Sequence, residues 1–321
     1  MNNNGTLVIS LDFELLWGVF DKVDWKEKEE YFINTRNVIP EILKLFQKNE
    51  ISCTWATVGM LFNNNWDEWN QNIPEMLPEY DNEKLSAYKY GNSIQSKESE
   101  QLCFAPGLIK QIKETPGQEI ATHTYSHYYC LESGQKMTDF RSDISKAIEL
   151  AEKFECRLHS LVFPRNQFNN GYSTVCKELG IKNIRTNPDN WYWRDTQRDS
   201  LLQKISRTSD AYFGRLDKAY SIRGIQNKEG ITHQKASRFL RPYNSKSILN
   251  KTKLRRVFSE MEESAKKGLI YHLWWHPHNF GEQPHQSLTD LGQILLKYGE
   301  LKNKYGYQSL NMKELGNYTI Q

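Results

Sequence analysis

The 321-residue sequence lacks the features that mark several whole classes of protein. Its five cysteines, at positions 53, 103, 130, 156 and 176, are odd in number, widely spaced and without a CxxC pair. That spacing argues against a disulfide framework and against a cysteine zinc site, so reduced thiols are expected. No stretch approaches the roughly 18 apolar residues of a membrane span. The opening Met1-Asn2-Asn3-Asn4-Gly5-Thr6 lacks the charged-then-apolar pattern of a secretion signal, so a cytoplasmic location is expected. Excess charge is missing as well: 42 Lys plus Arg face 39 Asp plus Glu, and a net +3 is no footprint of a general nucleic-acid binder. Neither an internal repeat nor a low-complexity tract is visible. With 38% hydrophobic, 25% charged and 12% aromatic residues, the composition is that of a folded chain long enough to bury a sizeable core.

The chain reads as alternating strands and helices. Thr6-Leu7-Val8-Ile9-Ser10-Leu11-Asp12 is a short apolar run with β-branched residues that ends on an acid, the pattern of a buried parallel strand delivering a carboxylate. Val38, Ile42, Leu45 and Phe46 then follow helical spacing over 31–48, and a second strand is predicted over 51–58. Further strands are predicted near 119–122, 158–163, 181–185 and 269–274, with helices near 138–154 and 173–179 and another carrying Leu288, Leu291, Ile294, Leu295 and Tyr298. Repeated βα units favour an α/β parallel sheet or barrel. One catalytic domain over 1–321 is expected, with insertions at about 63–115 and 191–256. The first insertion is rich in Asn, Glu, Pro and Trp without clear periodicity. The second holds 16 Lys/Arg against 5 Asp/Glu, a local excess of +11 that reads either as a solvated basic face or as a docking surface for an anionic sugar, phosphate or nucleotide-sugar.

His123-Thr124-Tyr125-Ser126-His127 follows directly on a predicted strand, and two imidazoles four residues apart can reach one metal ion from one face of a turn. Asp12-Phe13-Glu14, at the end of the first strand, can add oxygen ligands. Two imidazoles and a carboxylate leave positions open for water, the ligand set of a hydrolytic metal site. A second acid beside it can act as base, and Asp12 and Glu14 share a side if the strand continues.

Taken in order, Ser10-Leu11-Asp12-Phe13-Glu14, His123-Thr124-Tyr125-Ser126-His127, Phe163-Pro164-Arg165 and Leu273-Trp274-Trp275-His276-Pro277-His278 resemble the polysaccharide deacetylases with a NodB homology domain, over about 10–280. The resemblance implies a distorted (β/α) barrel of seven or so strands, a zinc-type ion on an acid-His-His triad, and removal of acetyl from an N-acetylated sugar. Where the family usually has two adjacent acids, Phe13 takes the second place, as in an acid-x-acid variant. Asp12 is then the expected base, and Glu14, with His123 and His127, the expected ligand set for zinc, with iron, nickel or cobalt as alternatives. By the same resemblance Arg165 pairs with Asp12, His276 protonates the leaving amine with His278 as its competitor, and a backbone N–H near Phe168 completes the oxyanion hole. The segment beginning Asp189-Asn190-Trp191 loosely matches the motif whose acid tunes the late histidine.

Trp191 is a candidate stacking platform for a sugar ring, and Arg241 a candidate contact for an anionic substrate group. His159, His233, His272 and His285 lack a partner pattern and are expected to be structural or exposed. The expected partner is an N-acetylated sugar or glycan intermediate of surface polysaccharide metabolism, anionic if the basic insertion docks it, and not a nucleic acid. Two alternatives keep the barrel. One changes the amide to a ureido, formyl or cyclic one; the other is a catalytically dead carbohydrate-binding barrel.

Overall fold

A computed structural model describes residues 4–193, 200–213, 218–244 and 247–319. Ten strands form one sheet: β1 (Thr6–Phe13), β2 (Cys53–Thr57), β3 (Gln118–Thr122), β4 (Ser160–Val162), β5 (Asn183–Thr186), β6 (Gln226–Lys228), β7 (Ile231–Lys235), β8 (Arg238–Phe239), β9 (Ile270–Trp275) and β10 (Gln308–Leu310). Their order is β6-β7-β5-β4-β3-β2-β1-β9-β8, with β10 beside the start of β1. Every pairing is parallel except the β6–β7 hairpin. β1 and β9 are buried at every position, which is why they read as continuous apolar runs rather than alternating ones.

The mixed α/β fold with a parallel sheet agrees with the expectation, but the ladder does not close by strand pairing. β7 pairs with β5 and β8 with β9, and only Ala236 and Ser237 separate β7 from β8. The Ala236 N–H donates to the Thr186 carbonyl on one side, and the Ser237 N–H donates to the His272 carbonyl on the other. The backbone thus changes partner between consecutive residues, and the chain itself spans the gap that a ladder would fill.

The helices Glu29–Lys48, Met137–Lys153 and Pro284–Tyr305 lay apolar faces on the sheet, through residues such as Ile42 and Phe46, Phe140 and Ile144, and Leu291 and Leu295. The stretch read as aperiodic, 63–115, folds into four short helices: Trp66–Gln71, Ala87–Ile94, Lys97–Cys103 and Pro106–Glu114. Segments of six to nine residues are too short for periodicity to emerge. Three begin instead at capping side chains, Asn65, Ser86 and Ser96, and the fourth at Pro106, while Trp17, Trp66 and Trp69 pack together among them. The basic stretch 191–256 holds the helix Leu201–Phe213, β6 to β8 and the start of the helix Ser247–Lys267, elements not predicted from sequence. Nor is its charge simply a solvated face. Arg238 is buried against Glu260, Lys218 against Asp210 and Lys253 against Asp290.

Candidate active site

At the C-terminal end of β1 the strand hands over to a 3₁₀ turn, Leu15–Gly18, that wraps the Glu14 carboxyl. Gly18 makes this possible: a Cβ there would lie 2.0 Å from the Glu14 carboxyl carbon. Glu14 Oε2 lies 3.2 Å from His123 Nε2 and 3.1 Å from His127 Nε2, with all three side chains buried. The His123 Nδ1–H donates to the Val162 carbonyl at 2.8 Å. A carbonyl only accepts, so in neutral His123 the proton is on Nδ1 and the lone pair on Nε2 faces the carboxylate. Lone pair against carboxylate is repulsive unless His123 takes a second proton or a cation lies between the two. These three residues form the group among the described residues that could hold a metal ion, their donor atoms lying within 4.8 Å of one another. Burial by itself would raise the Glu14 carboxyl, yet His276, His123 and His127 around it hold it well below the ordinary range. Burial pushes His127 down to about 4.

The loop that carries both imidazoles is tightly held. Thr124 and His127 have positive φ, 63° and 56°, which L-residues seldom adopt. Between them, the Tyr125 and Ser126 N–H groups donate to the Asp143 carboxylate at 2.6 and 3.1 Å, and the Ser126 hydroxyl donates to it at 2.5 Å. Gly59 lets the loop approach, since a Cβ there would meet the Tyr125 backbone at 2.9 Å.

Asp12, two residues before Glu14 on β1, forms a two-pronged ion pair with Arg185 of β5: Nη1 to Oδ1 and Nη2 to Oδ2, both at 2.7 Å. Arg185 Nη1 also donates to the Ser10 hydroxyl, whose oxygen lies 2.8 Å from His272 Nε2. The guanidinium stacks over Trp274, 4.4 Å from its ring centre. Burial opposes the Asp12 charge, but Arg185, with His123 and His276 nearby, holds the carboxyl below its ordinary range.

His276 faces both acids, its Nε2 3.7 Å from Asp12 Oδ2 and 3.8 Å from Glu14 Oε1, and its side chain keeps 23% of its surface exposed. The His276 Nδ1 lies 3.2 Å from Asn279 Oδ1. His278 stacks on His276 from behind, with rings 4.8 Å apart. Buried and 3.6 Å from Glu14 through Nδ1, it is pushed by burial to about 3.

Several expectations need correction. Arg165 does not pair with Asp12. It bonds Asp21 at 2.5 Å and lies over the Tyr129 ring, at a turn where Arg165 and Asn166 both have φ of 53°. Arg185 takes the place next to Asp12. It was missed because a lone arginine inside a short β-strand reads as one that faces solvent, and its partner is 173 residues away. The Phe168 N–H donates to the Asn166 carbonyl and so is engaged within its own turn. Asp189 pairs with Lys235, 77% exposed, rather than with the late histidine, which has Asn279 instead. Trp191 is half exposed beside Tyr192 on a cleft of about 480 Å³ whose lining holds none of Asp12, Glu14, His123, His127 and His276. Trp193, two residues on, is the one that packs on Trp274. His278, the competitor of His276 and a candidate substrate contact, is buried and stacks on His276. Arg241 does reach the rim, stacked on Phe239, which in turn packs on His276.

Residues 19–184, just over half of the chain, match the family model described as polysaccharide deacetylase. The chain belongs to the polysaccharide deacetylase family. The matched stretch includes His123, His127 and Arg165, whereas Asp12, Glu14, Arg185 and His276 lie outside it. The fold is similar to that of a Mycobacterium smegmatis protein described as a polysaccharide deacetylase, with TM-score 0.64 and 12% identity over 100% of this chain and 91% of that one. It is also similar to a Pseudomonas aeruginosa PAO1 protein of the same description, at TM-score 0.60 and 10% identity over 98% and 90% of the two chains. A GH57-type branching enzyme from Pyrococcus horikoshii shares the fold at TM-score 0.53 and 13% identity, over 96% of this chain and 69% of that one. At such identities these likenesses speak for the fold alone. A search of curated protein sequences returned no match. No helix among the described residues is long and apolar enough to cross a membrane.

Proposed function

We propose that this polysaccharide deacetylase family member is a metal-dependent amide hydrolase that removes acetyl from an N-acetylated sugar, in the metabolism of a surface polysaccharide. The observation that carries the reading is a single buried carboxylate oxygen, Glu14 Oε2, facing two imidazole nitrogens at hydrogen-bond distance next to a second, separately ion-paired acid. Glu14, His123 and His127 would hold a divalent ion, with zinc suited to this oxygen and nitrogen donor set. When bound there, such an ion polarises the amide carbonyl and lowers the pKa of a coordinated water.

The remaining work falls to this chain's own groups. Asp12, kept ionised and oriented by Arg185, takes the proton of the attacking water; its Oδ2 still has a lone pair directed to the His276 side. His276 Nε2, within reach of both acids and partly open to solvent, donates a proton to the departing amine. Trp274, Phe239 and His278 wall the imidazole in and fix its ring.

The test is acetate release from a panel of N-acetylated sugars by protein reconstituted with zinc, alongside its metal content by elemental mass spectrometry. Near-stoichiometric metal, lost in a folded His123→Ala/His127→Ala double variant, and acetate release abolished by Asp12→Asn support the reading. Formate or ammonia release in place of acetate would move the substrate to another amide. Metal-independent sugar binding with no turnover would leave a carbohydrate-binding barrel.

A further inference from the structure

The cations around the mouth of the catalytic cleft have no part in the chemistry just described. Arg165 lies 4.2 Å over the face of Tyr129, and Tyr129 packs edge-on against the His127 ring at 5.2 Å. Arg241 lies 5.3 Å from the centre of Phe239, and Phe239 packs on His276 at 5.6 Å. Each guanidinium is therefore separated by one aromatic ring from a residue of the catalytic centre. Two consecutive left-handed residues, Arg165 and Asn166, hold the first of these in place, a costly backbone conformation that concentrates at functional sites.

Two lysines join them from other segments. Exposed Lys22, next in sequence to the Asp21 that Arg165 grips, lies within electrostatic reach of Arg165, Lys204 and Glu14. Lys204 is on the helix Leu201–Phe213, the same helix whose Thr208 hydroxyl accepts a hydrogen bond from Arg241 at 3.2 Å. That helix exposes its apolar residues, Leu201, Leu202 and Ile205 being 74%, 63% and 54% accessible, and uses its polar side to reach the rim. Asp21 pairs with Arg165 and Glu132 lies within its electrostatic reach, so beyond the catalytic Glu14 two acids stand against the four cations. Arg165 and Arg241 each lie on a ring and each use one Nη2 on a protein partner, Asp21 and Thr208, which leaves further N–H groups in the guanidinium plane to meet a planar or tetrahedral anion.

We propose that Lys22, Arg165, Lys204 and Arg241 form an anion-binding rim that selects an acetylated sugar bearing a phosphate or carboxylate group, a refinement that rests on the deacetylase reading above. One aromatic ring separates Arg165 from His127 and Arg241 from His276, so a sugar that presents its amide to the acids would carry its anionic substituent towards these cations.

The decisive experiment is calorimetric binding to the full chain, at low and high salt, of N-acetylglucosamine, N-acetylglucosamine 1-phosphate, N-acetylmuramic acid and inorganic phosphate. At low salt an anionic sugar should bind about tenfold more tightly than the neutral one, with the margin shrinking in high salt. The phosphate and carboxylate sugars separate the two anion types. Lys204→Gln and Lys22→Gln, both at exposed positions, and Arg241→Gln should each reduce the margin, and Lys204→Gln with Arg241→Gln together should bring it below about twofold, whereas Arg241→Lys, which keeps the charge but not the flat stacked fork, should retain only part of it. Equal binding of neutral and anionic sugars, a margin that survives the double variant, binding of inorganic phosphate as tight as that of the sugar phosphate, or no binding of any of the three sugars would each overturn the inference. Because binding is read without turnover, absence of acetate release from every sugar would sink the deacetylase reading while leaving this comparison legible.

Discussion

The two ends of the barrel each bury a glutamate, and the two could hardly be treated more differently. Glu14, at the C-terminal ends of the strands, is ringed by His123, His127, His276 and His278. Glu119, at the N-terminal end of β3, accepts hydrogen bonds from the Thr54 and Ser160 hydroxyls and from the Lys313 N–H. Burial works to raise both carboxyls. Around Glu14 the imidazoles overcome it and hold the acid well below its ordinary range, whereas the neutral donors around Glu119 leave it raised. Neutral hydrogen bonds suffice to bury a carboxyl for structural ends; a carboxylate kept charged among basic nitrogens is prepared to act on a cation or a proton.

The sharpest break of that comparison is to remove the charge at each end in turn. Glu14→Gln should lower metal affinity by more than about 100-fold and abolish turnover, while Glu119→Gln should leave metal content and kcat within about twofold and stability within about 1 kcal/mol. Metal analysis and chemical denaturation of the two variants check both halves. Similar losses at both ends would mean that burial alone, not the imidazoles, sets the behaviour of Glu14.

Next in size is the pair of arginines. Arg185→Gln strips a buried acid of its partner and should cost about 3–5 kcal/mol. The acid limb of the pH–rate profile should also move to higher pH, because burial raises Asp12 once the guanidinium is gone. Arg165→Gln, remote from Asp12, should leave that limb where it is. A shift in the second variant and none in the first would reverse the assignment.

Asp143 allows a finer cut, since it touches the ligand loop but no ligand. Asp143→Asn should weaken metal binding by about tenfold, the effect of disturbing groups that orient ligands, with the apo protein still folded. Unchanged affinity would make the Asp143 contacts purely structural.

A separate test uses the pH dependence of stability. Burial holds His272 at about 3 in the folded chain, against about 6.5 when unfolded. As pH falls from about 6.5 towards 3, the unfolded chain takes up a proton that the native chain refuses, so stability drops by up to ~1.4 kcal/mol per pH unit for this group. His127 and His278 share that sign. Asp143, raised by burial to about 6, has the opposite one: its contribution is full below its ordinary 3.8 and is lost as pH rises through 6. His272→Asn should therefore flatten the acid slope of the urea midpoint without removing it. An unaltered slope would show that His272 is protonated in the folded state.

Local signals carried a good part of this molecule. The apolar run that ends at Asp12 and Glu14, the HxxxH pair after β3 and the late His276 were legible because each is a few residues long and lies where a strand gives way to a loop. The long helices were legible from one apolar face each. What escaped had no local mark. The helices within 63–115 are shorter than the window that reveals a period, and the helix Leu201–Phe213 turns Leu201, Leu202 and Ile205 outward and buries only Ala211, so its apolar residues do not mark a face on the core.

The sequence by itself determined the alternation of βα units, the acids and imidazoles available for chemistry, and the absence of any charge or cysteine pattern that would point elsewhere. Only the tertiary structure decided which arginine serves Asp12, because that choice depends on β5 bringing Arg185 across the barrel while Arg165 pairs with Asp21. The same holds for the proposed rim, since Lys22, Arg165, Lys204 and Arg241 are far apart in the chain and only the fold brings Lys22 within electrostatic reach of Arg165 and Lys204. Strand periodicity is a property of neighbours in sequence, whereas the charge state and partners of a buried group are set by neighbours in space.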